Sequence, residues 1–304
     1  MNRFVAHLIL MRPANIITAI ADIMLGFAAS GSVQLLLLQS SAGGATPPQW
    51  RVLGWLVAAT VGLYGGGVVF NDVFDADLDR KERPERPIPS GAASRGSAAL
   101  LGTLLLLGGV AAAFQVSSTS GFIAAAIALL ALAYDAFGKH LTVLGPLNMG
   151  ACRGGNLLLG LSAVPTAVQA SWYLALLPVV YIAAITAISR GEVHGGDKKI
   201  LLGSLGLYSL VIASVLLLLS LPQINAWYAV PFLALFCYLI FPPLLKAISS
   251  LKPLDIRLAV KAGIMALILL DATVAAGFAG WWYGLLVLAL FPLSRLLAKV
   301  FAVT

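Results

Sequence analysis

The densest chemistry in this chain lies in one run, Asn71, Asp72, Val73, Phe74, Asp75, Ala76, Asp77, Leu78, Asp79 and Arg80, which holds four of only twelve Asp and Glu residues. Read as helix, Asp72, Asp75 and Asp79 stand at i, i+3 and i+7 and share a face with Asn71 beside them, while Asp77 faces elsewhere. Carboxylates on one stripe repel each other unless a cation neutralises them, and oxygen ligands next to an amide suit Mg2+ shared with a phosphate. Asp72, Asp75 and Asp79 are therefore candidate catalytic and metal-binding residues, with Asn71 a candidate ligand of metal and substrate. A solvated acidic helix end is the plainer alternative. Arg80, Lys81, Arg83 and Arg86 follow, and Arg86 opens the run Pro87, Ile88, Pro89, Ser90, Gly91. Guanidinium groups grip phosphate oxygens in bidentate fashion and prolines stiffen the loop that carries them, a combination suited to a pyrophosphate.

A second set of polar residues sits inside apolar stretches. Asn148, Arg153 and Asn156 fall in one such stretch, with Arg153 and Asn156 one helical turn apart. An arginine this deep costs at least about 2.5 kcal/mol if it faces lipid, so it is expected to face a cavity and a negative partner. That partner is a bound pyrophosphate or, structurally, Asp135 or Asp22. Asp22 follows Asn15 by seven residues, which places both on one helical face as a possible base or anchor for an acceptor. Asp271 is expected to make a structural hydrogen bond.

The elements that must position these groups are membrane spans. The chain has 304 residues, 60% hydrophobic and 10% charged, with a mean hydropathy of +0.97; soluble domains average about one quarter charged. Disordered, fibrous and disulfide-framework classes are excluded, and Cys152 and Cys237 read as buried thiols without metal spacing. Crossing roughly 30 Å of hydrocarbon takes about 20 apolar residues. Candidates lie near 14–37, 52–71, 97–116, 120–138, 143–164, 170–189, 200–220, 226–245, 258–279 and 281–302. With the N-terminus inside, every loop cation except Arg51 falls on the inner side, from Arg3 and Arg12 to Arg295 and Lys299, as the positive-inside rule requires for an even number of spans. The expectation is an all-α integral membrane protein, one polytopic domain over 1–304, with both termini and both polar loops cytoplasmic. The lipid bilayer is its environment, and no nucleic-acid partner is expected.

The motifs resemble those of one family. Asn71, Asp72, Asp75 and Asp79 look like the NDxxDxxxD motif of UbiA-type membrane prenyltransferases, and Arg86 to Gly91 resembles the RPLPSG run that follows it. Arg12, Pro13, Ala14, Asn15 resembles the family's N-terminal RPxN, whose Asn faces the pyrophosphate pocket. The resemblance covers about the first 280 residues and implies a bundle of nine to ten helices around a central chamber, the tenth span being additional. Within the superfamily the nearest likeness, over Arg12–Asp22, Gly145–Gly160 and Ser189–Gly196, is to the UbiA-like EboC group. The second aspartate motif, DxxDxxGD, corresponds here to Ser189, Arg190, Gly191, Glu192, Val193, His194, Gly195, Gly196, Asp197, with Ser189 and Gly196 where aspartates are usual. Glu192 and Asp197 are then the candidate second-metal and catalytic acids, Asp197 folding back through the glycines. Arg190, His194 and Lys198 are candidate substrate contacts, His194 being alternatively a surface histidine. Tyr134 and Lys139 resemble the family's YxxxK pair with one extra residue between them, and Lys139 alternatively is an ordinary loop cation.

The implied activity is Mg2+-dependent transfer of a polyprenyl group from a polyprenyl diphosphate to an aromatic or other small-molecule acceptor, with Arg12, Asn15, Asp22, Asn71, Arg86, Tyr134, Lys139, Asn148, Arg153, Asn156, Arg190, His194 and Lys198 around the substrates. The altered second motif keeps open a non-catalytic carrier for a prenyl-linked compound. An ion-coupled transporter ranks third, because both polar loops lie on one side.

Overall fold

Hydrocarbon offers the backbone no hydrogen-bond partners, so a chain with this pattern closes its amides within helices. The computed structural model describes residues 2–39, 48–138, 141, 143–193 and 195–301, and among these every regular element is helical. In chain order they are α1 (Arg3–Leu10), α2 (Pro13–Ala29), α3 (Ser32–Gln39), α4 (Gln49–Phe74), α5 (Ala76–Glu82), α6 (Arg95–Phe114), α7 (Ser118–Ala136) and α8 (Leu144–Leu161). The second half adds α9 (Pro165–Ser171), a 3-10 turn at Trp172–Ala175, α10 (Leu176–Ser189), α11 (Lys198–Leu219), α12 (Ala226–Ser250), α13 (Pro253–Ala279), α14 (Trp281–Leu288) and α15 (Leu290–Val300).

Each of the ten expected spans corresponds to a helical segment. Eight segments, with α9–α10 and α14–α15 each taken as one, are long and apolar enough to cross a membrane, and the α1–α2 pair, bent by 41°, makes a ninth. The tenth, α8, is 18 residues long and carries Asn148, Arg153 and Asn156, so its polarity is the signature of a helix that turns away from lipid. The first span is shorter than expected, because α2 ends at Ala29 and Gly31, at φ 80°, redirects the chain into α3.

Six helices form a ring in which each packs on the next: α2, α4, α7, α8, α10, α13 and back to α2. The remainder lie outside it, α6 against α4 and α7, α11 against α10, α12 against α13, and α14–α15 against α13 and α2. Close approach depends on small residues. A Cβ on Gly160 of α8 would stand 2.6 Å from the Ile23 carbonyl oxygen of α2, so this glycine lets the two helices that carry Arg153 and Asp22 meet backbone to backbone. The ring encloses a chamber of about 360 Å³.

Candidate functional site at the chamber mouth

α4 carries Asn71 to the chamber wall, and Asp72, Asp75, Asp79 and Arg86 lie beyond the lining, joined to it through Arg12. The helix bends at Asp75, which ends α4 and begins α5. Asp72 and Asp79 are 5% and 4% exposed while Asp77 is outside, paired with Arg80 at 3.1 Å and Arg95 at 3.2 Å. The helical spacing thus put Asp72 and Asp79 on one face and Asp77 off it, as expected. Arg86 Nη1 donates to Asp79 Oδ2 at 2.8 Å and to Asp72 Oδ1 at 3.4 Å. Arg12 Nη2 donates to the same Asp72 oxygen at 2.8 Å. Arg12 precedes α2 in the left-handed region, φ 49° and ψ 66°, a conformation costly for a non-glycine residue, and its guanidinium reaches Asp72 from there.

Two carboxylates therefore converge on one cation position, held here by the Arg86 guanidinium. Among the described residues no group of three or more His, Cys, Asp or Glu is placed to hold an ion. Mg2+ commonly takes only one or two carboxylates and completes its octahedron with water and substrate phosphate. The oxygen donors of Asp72 and Asp79 meet that requirement.

Asn71 uses its amide N–H to reach α7, which leaves its carbonyl oxygen as the possible ligand. Its Nδ2 donates to Asp135 Oδ1 at 2.9 Å, an α7 carboxylate that lines the chamber beside Tyr134, Asn15, Arg12 and Asn71 itself. The sequence reading also missed Thr60 and Tyr64, which line the chamber with Gly67 and Asn71. Positions 60, 64, 67 and 71 form an i, i+4, i+7, i+11 stripe, the signal that would have found them.

Deeper in the chamber, Arg153 finds its negative partner within the protein. Its Nε lies 2.8 Å from Asp22 Oδ2, Nη1 donates to Thr18 Oγ1 at 3.2 Å and Nη2 to the Thr18 carbonyl at 2.7 Å. Its guanidinium lies over the Tyr64 ring, 5.8 Å from the centroid. Asn156 Nδ2 donates to Asp22 Oδ2 at 3.0 Å and to the Ala19 carbonyl at 2.8 Å, and its Oδ1 accepts from Thr60 Oγ1 at 2.6 Å. The pyrophosphate expected opposite Arg153 is thus replaced by Asp22. Asp22 is no chamber base either: it is fully buried and does not line the chamber, because α8 interposes Arg153 and Asn156. Asp271 is buried against Asp22.

The second polar loop comes near the first at Arg83, whose guanidinium acts on the Glu192 carboxyl, while Asp197 is engaged elsewhere. Asp197 is exposed and caps α11, its Oδ1 accepting from Lys199 N at 2.7 Å; the start of that helix claims the side chain that the glycines were expected to fold back. Asp197→Asn retains a good cap and is expected to leave stability and diphosphate binding unchanged, whereas Asp197→Ala lowers stability by about 1 kcal/mol, both measurable by thermal unfolding in detergent. Lys198 is exposed at the first turn of α11, and Arg190 Nη2 donates to the Leu141 carbonyl at 3.2 Å; neither lines the chamber. Asn148 accepts from Cys152 Sγ at 3.7 Å, and it is the half-buried Cys152, not Asn148, that reaches the chamber. Cys237 is likewise half-buried. Ser189, standing where the family has an aspartate, does line the chamber. Lys139 and His194 lie outside the described residues.

Glu192 lies in the loop between α10 and α11, half-buried, and its backbone carbonyl accepts from Arg257 Nε at 3.0 Å. Burial pushes its carboxyl above the ordinary value of 4.5, and the Arg257 and Arg83 guanidiniums pull it part of the way back. A raised carboxyl ionises first in the unfolded chain, so its contribution to stability is lost as pH rises from about 4.5 through the raised folded value. Glu192→Gln is expected to remove that part of the pH dependence and to melt above the native protein at neutral pH. Parallel melting curves against pH for the two proteins would rule it out.

A model of the UbiA prenyltransferase family matches residues 32–249. The chain is 29% identical over 200 residues to the digeranylgeranylglyceryl phosphate synthase of Ignicoccus hospitalis, covering 64% of this chain and 61% of that one. It is 32% identical over 176 residues to the enzyme of the same name from Methanosarcina mazei, covering 56% and 59%. The matched region is thus about three fifths of these relatives' length. Among solved structures, the apo form of a UbiA homolog from Aeropyrum pernix superposes with a TM-score of 0.67 at 18% identity, covering 84% of this chain and 96% of that one. A UbiA homolog from Archaeoglobus fulgidus bound to DMAPP and Mg2+ gives 0.56 at 14% identity, covering 93% and 99%.

Proposed function

The chain belongs to the UbiA prenyltransferase family, and from that premise we propose that it transfers a polyprenyl group from a polyprenyl diphosphate to a small-molecule acceptor within the membrane. The observation that carries this reading is the pairing of buried Asp72 and Asp79 with Arg12 and Arg86, a cluster that meets the chamber where Arg12 and Asn71 line it. A site meant only to hold an isoprenoid tail has no use for paired acids and arginines.

In this reading the diphosphate sits at the mouth, where Arg12 and Arg86 turn from the aspartates to its oxygens. Mg2+, held by Asp72 and Asp79 with Asp75 beside them, would supply positive charge against the departing diphosphate. The isoprenoid tail lies along Leu63, Ile127, Ile182 and Ile264, which with the rest of the wall keep water from an allylic cation. The Tyr64 and Tyr134 rings offer π faces to that cation. The one-sided distribution of cations supports a cytoplasmic mouth.

The acceptor is an aromatic or another small molecule, and the relatives' name adds a prenylglyceryl phosphate to the classes worth assaying. We place the chain nearest the EboC group within the family on Arg12–Asp22, Gly145–Gly160 and Ser189–Gly196, although the relatives above carry another name. The reading is tested by mass spectrometry of purified protein incubated with Mg2+, prenyl diphosphates of several lengths, and aromatic and glyceryl phosphate acceptors. A prenylated product establishes it. One observation favours the carrier alternative: the chamber-facing position of the second motif is Ser189. If the native protein binds prenyl diphosphate but transfers nothing, and Ser189→Asp creates transfer, the carrier reading replaces the enzyme.

A further inference from the structure

A second cavity lies outside the ring, a groove of about 510 Å³ between α12, α13 and α15. Lys246 of α12, Lys261 of α13 and Arg295 of α15 line it together with a single acid, Asp255. Lys246 Nζ is paired with Asp255 Oδ1 at 3.0 Å. Among the described residues neither Lys261 nor Arg295 has a carboxylate partner, and the Arg295 guanidinium rests over the Phe291 ring, 5.8 Å from its centroid. Three helices thus direct their cations into one groove whose formal charge is positive by two. Cations that merely obeyed the positive-inside rule would have no reason to converge.

The groove opens on the same face as the chamber mouth. Ser294 Oγ donates to the Ala14 carbonyl at 2.8 Å, next to the Arg12 end of α2. Arg257, on the first turns of α13, donates to the loop at Glu192. Its lining changes character with depth. Lys261 lies six residues, about 9 Å of helical rise, beyond Asp255 along α13, and Met265 is one turn further in. On α12, Leu239, Pro242, Pro243 and Lys246 occupy i, i+3, i+4 and i+7, one stripe that runs from apolar to charged.

We propose that this groove is a binding site for one anionic glycerophospholipid. The phosphate lies between Lys261 and Arg295, and an acyl chain follows Leu239, Met265 and Phe291. Net positive charge at headgroup depth above an apolar floor complements that molecule, whereas a zwitterionic lipid would bring its own ammonium against the two cations. Phosphatidylglycerol, anionic and without an ammonium group, is the probe. The site is separate from the chamber and does not depend on the reaction proposed for it.

The test is native mass spectrometry of the whole protein in detergent, titrated with phosphatidylglycerol or phosphatidylcholine. The native chain is expected to retain one phosphatidylglycerol in clear preference to phosphatidylcholine. Lys261→Gln with Arg295→Gln is expected to lose about 30-fold in phosphatidylglycerol affinity, given the usual worth of two basic residues at an anionic surface. Both side chains are exposed, so the unliganded melting temperature should not change. A control of equal charge loss at exposed positions outside the groove, Arg3→Gln with Lys81→Gln, should keep the preference. Undiminished affinity in the groove variant, or an equal loss in the control, would overturn the proposal.

Discussion

Asp72→Asn is expected to remove Mg2+-dependent capture of a prenyl diphosphate, weakening it by about 100-fold or more, since even an outer-shell partner of a metal is commonly worth about 10- to 100-fold. Asp72 is 5% exposed and one of its oxygens accepts from both Arg12 and Arg86. The substitution keeps the shape and removes the charge, so it acts on the metal and on both guanidinium groups at once. Asp79→Asn should have a similar effect through Arg86, which it holds at 2.8 Å. Asp75→Asn, at the junction of α4 and α5, is expected to follow them. Asp77→Asn is the internal control, because Asp77 is exposed and, among the described residues, its ion pairs are with the surface residues Arg80 and Arg95. Calorimetric titration with a non-hydrolysable thiolo-diphosphate, with and without Mg2+, reads the difference. Binding by Asp72→Asn equal to that of the native protein would remove the aspartates from the site.

The largest effect on stability is expected from Asp22→Ala. Arg153 would then be left buried without its carboxylate, and breaking a buried ion pair from one side costs about 3–5 kcal/mol. Asn156 would lose an acceptor at the same time. Asp271→Asn should behave quite differently. Asp22 and Asp271 are buried in contact, close enough for a hydrogen bond between their carboxyls. Two carboxyl groups in contact need a hydrogen between them, and the Asn amide supplies one covalently. Thermal unfolding in detergent should therefore place Asp22→Ala far below the native protein and Asp271→Asn close to it. Adding Arg153→Met to Asp22→Ala should restore much of the loss by removing the stranded charge. If Asp22→Ala alone melts like the native protein, the pair contributes nothing to the fold.

Much of the site could be read along the chain because the relevant physics is local. An aspartate three or seven residues from another shares its helical face whatever surrounds it, and the structure keeps Asp72 and Asp79 on one face while Asp77 pairs outside. The same periodicity contained Thr60, Tyr64, Gly67 and Asn71, but a stripe of one hydroxyl, one ring and one glycine does not stand out in an apolar helix as carboxylates do. The second motif misled for a local reason too: an aspartate directly before a helix is a cap first, and Asp197 is used as one.

The sequence by itself determined the ten helical segments, their apolar exteriors and the need of Arg153 for a negative partner, since each follows from excluding water from the backbone or a charge. Only the tertiary structure decided which partner that would be. Asp22 and Arg153 are 131 positions apart, and they meet because Gly160 lets α8 lie against the α2 backbone. Asn71 likewise turned to Asp135 on α7 and not to the aspartates beside it in sequence. Helix packing sets such distances, and packing depends on the shapes of two surfaces at once, which no single stretch of residues contains.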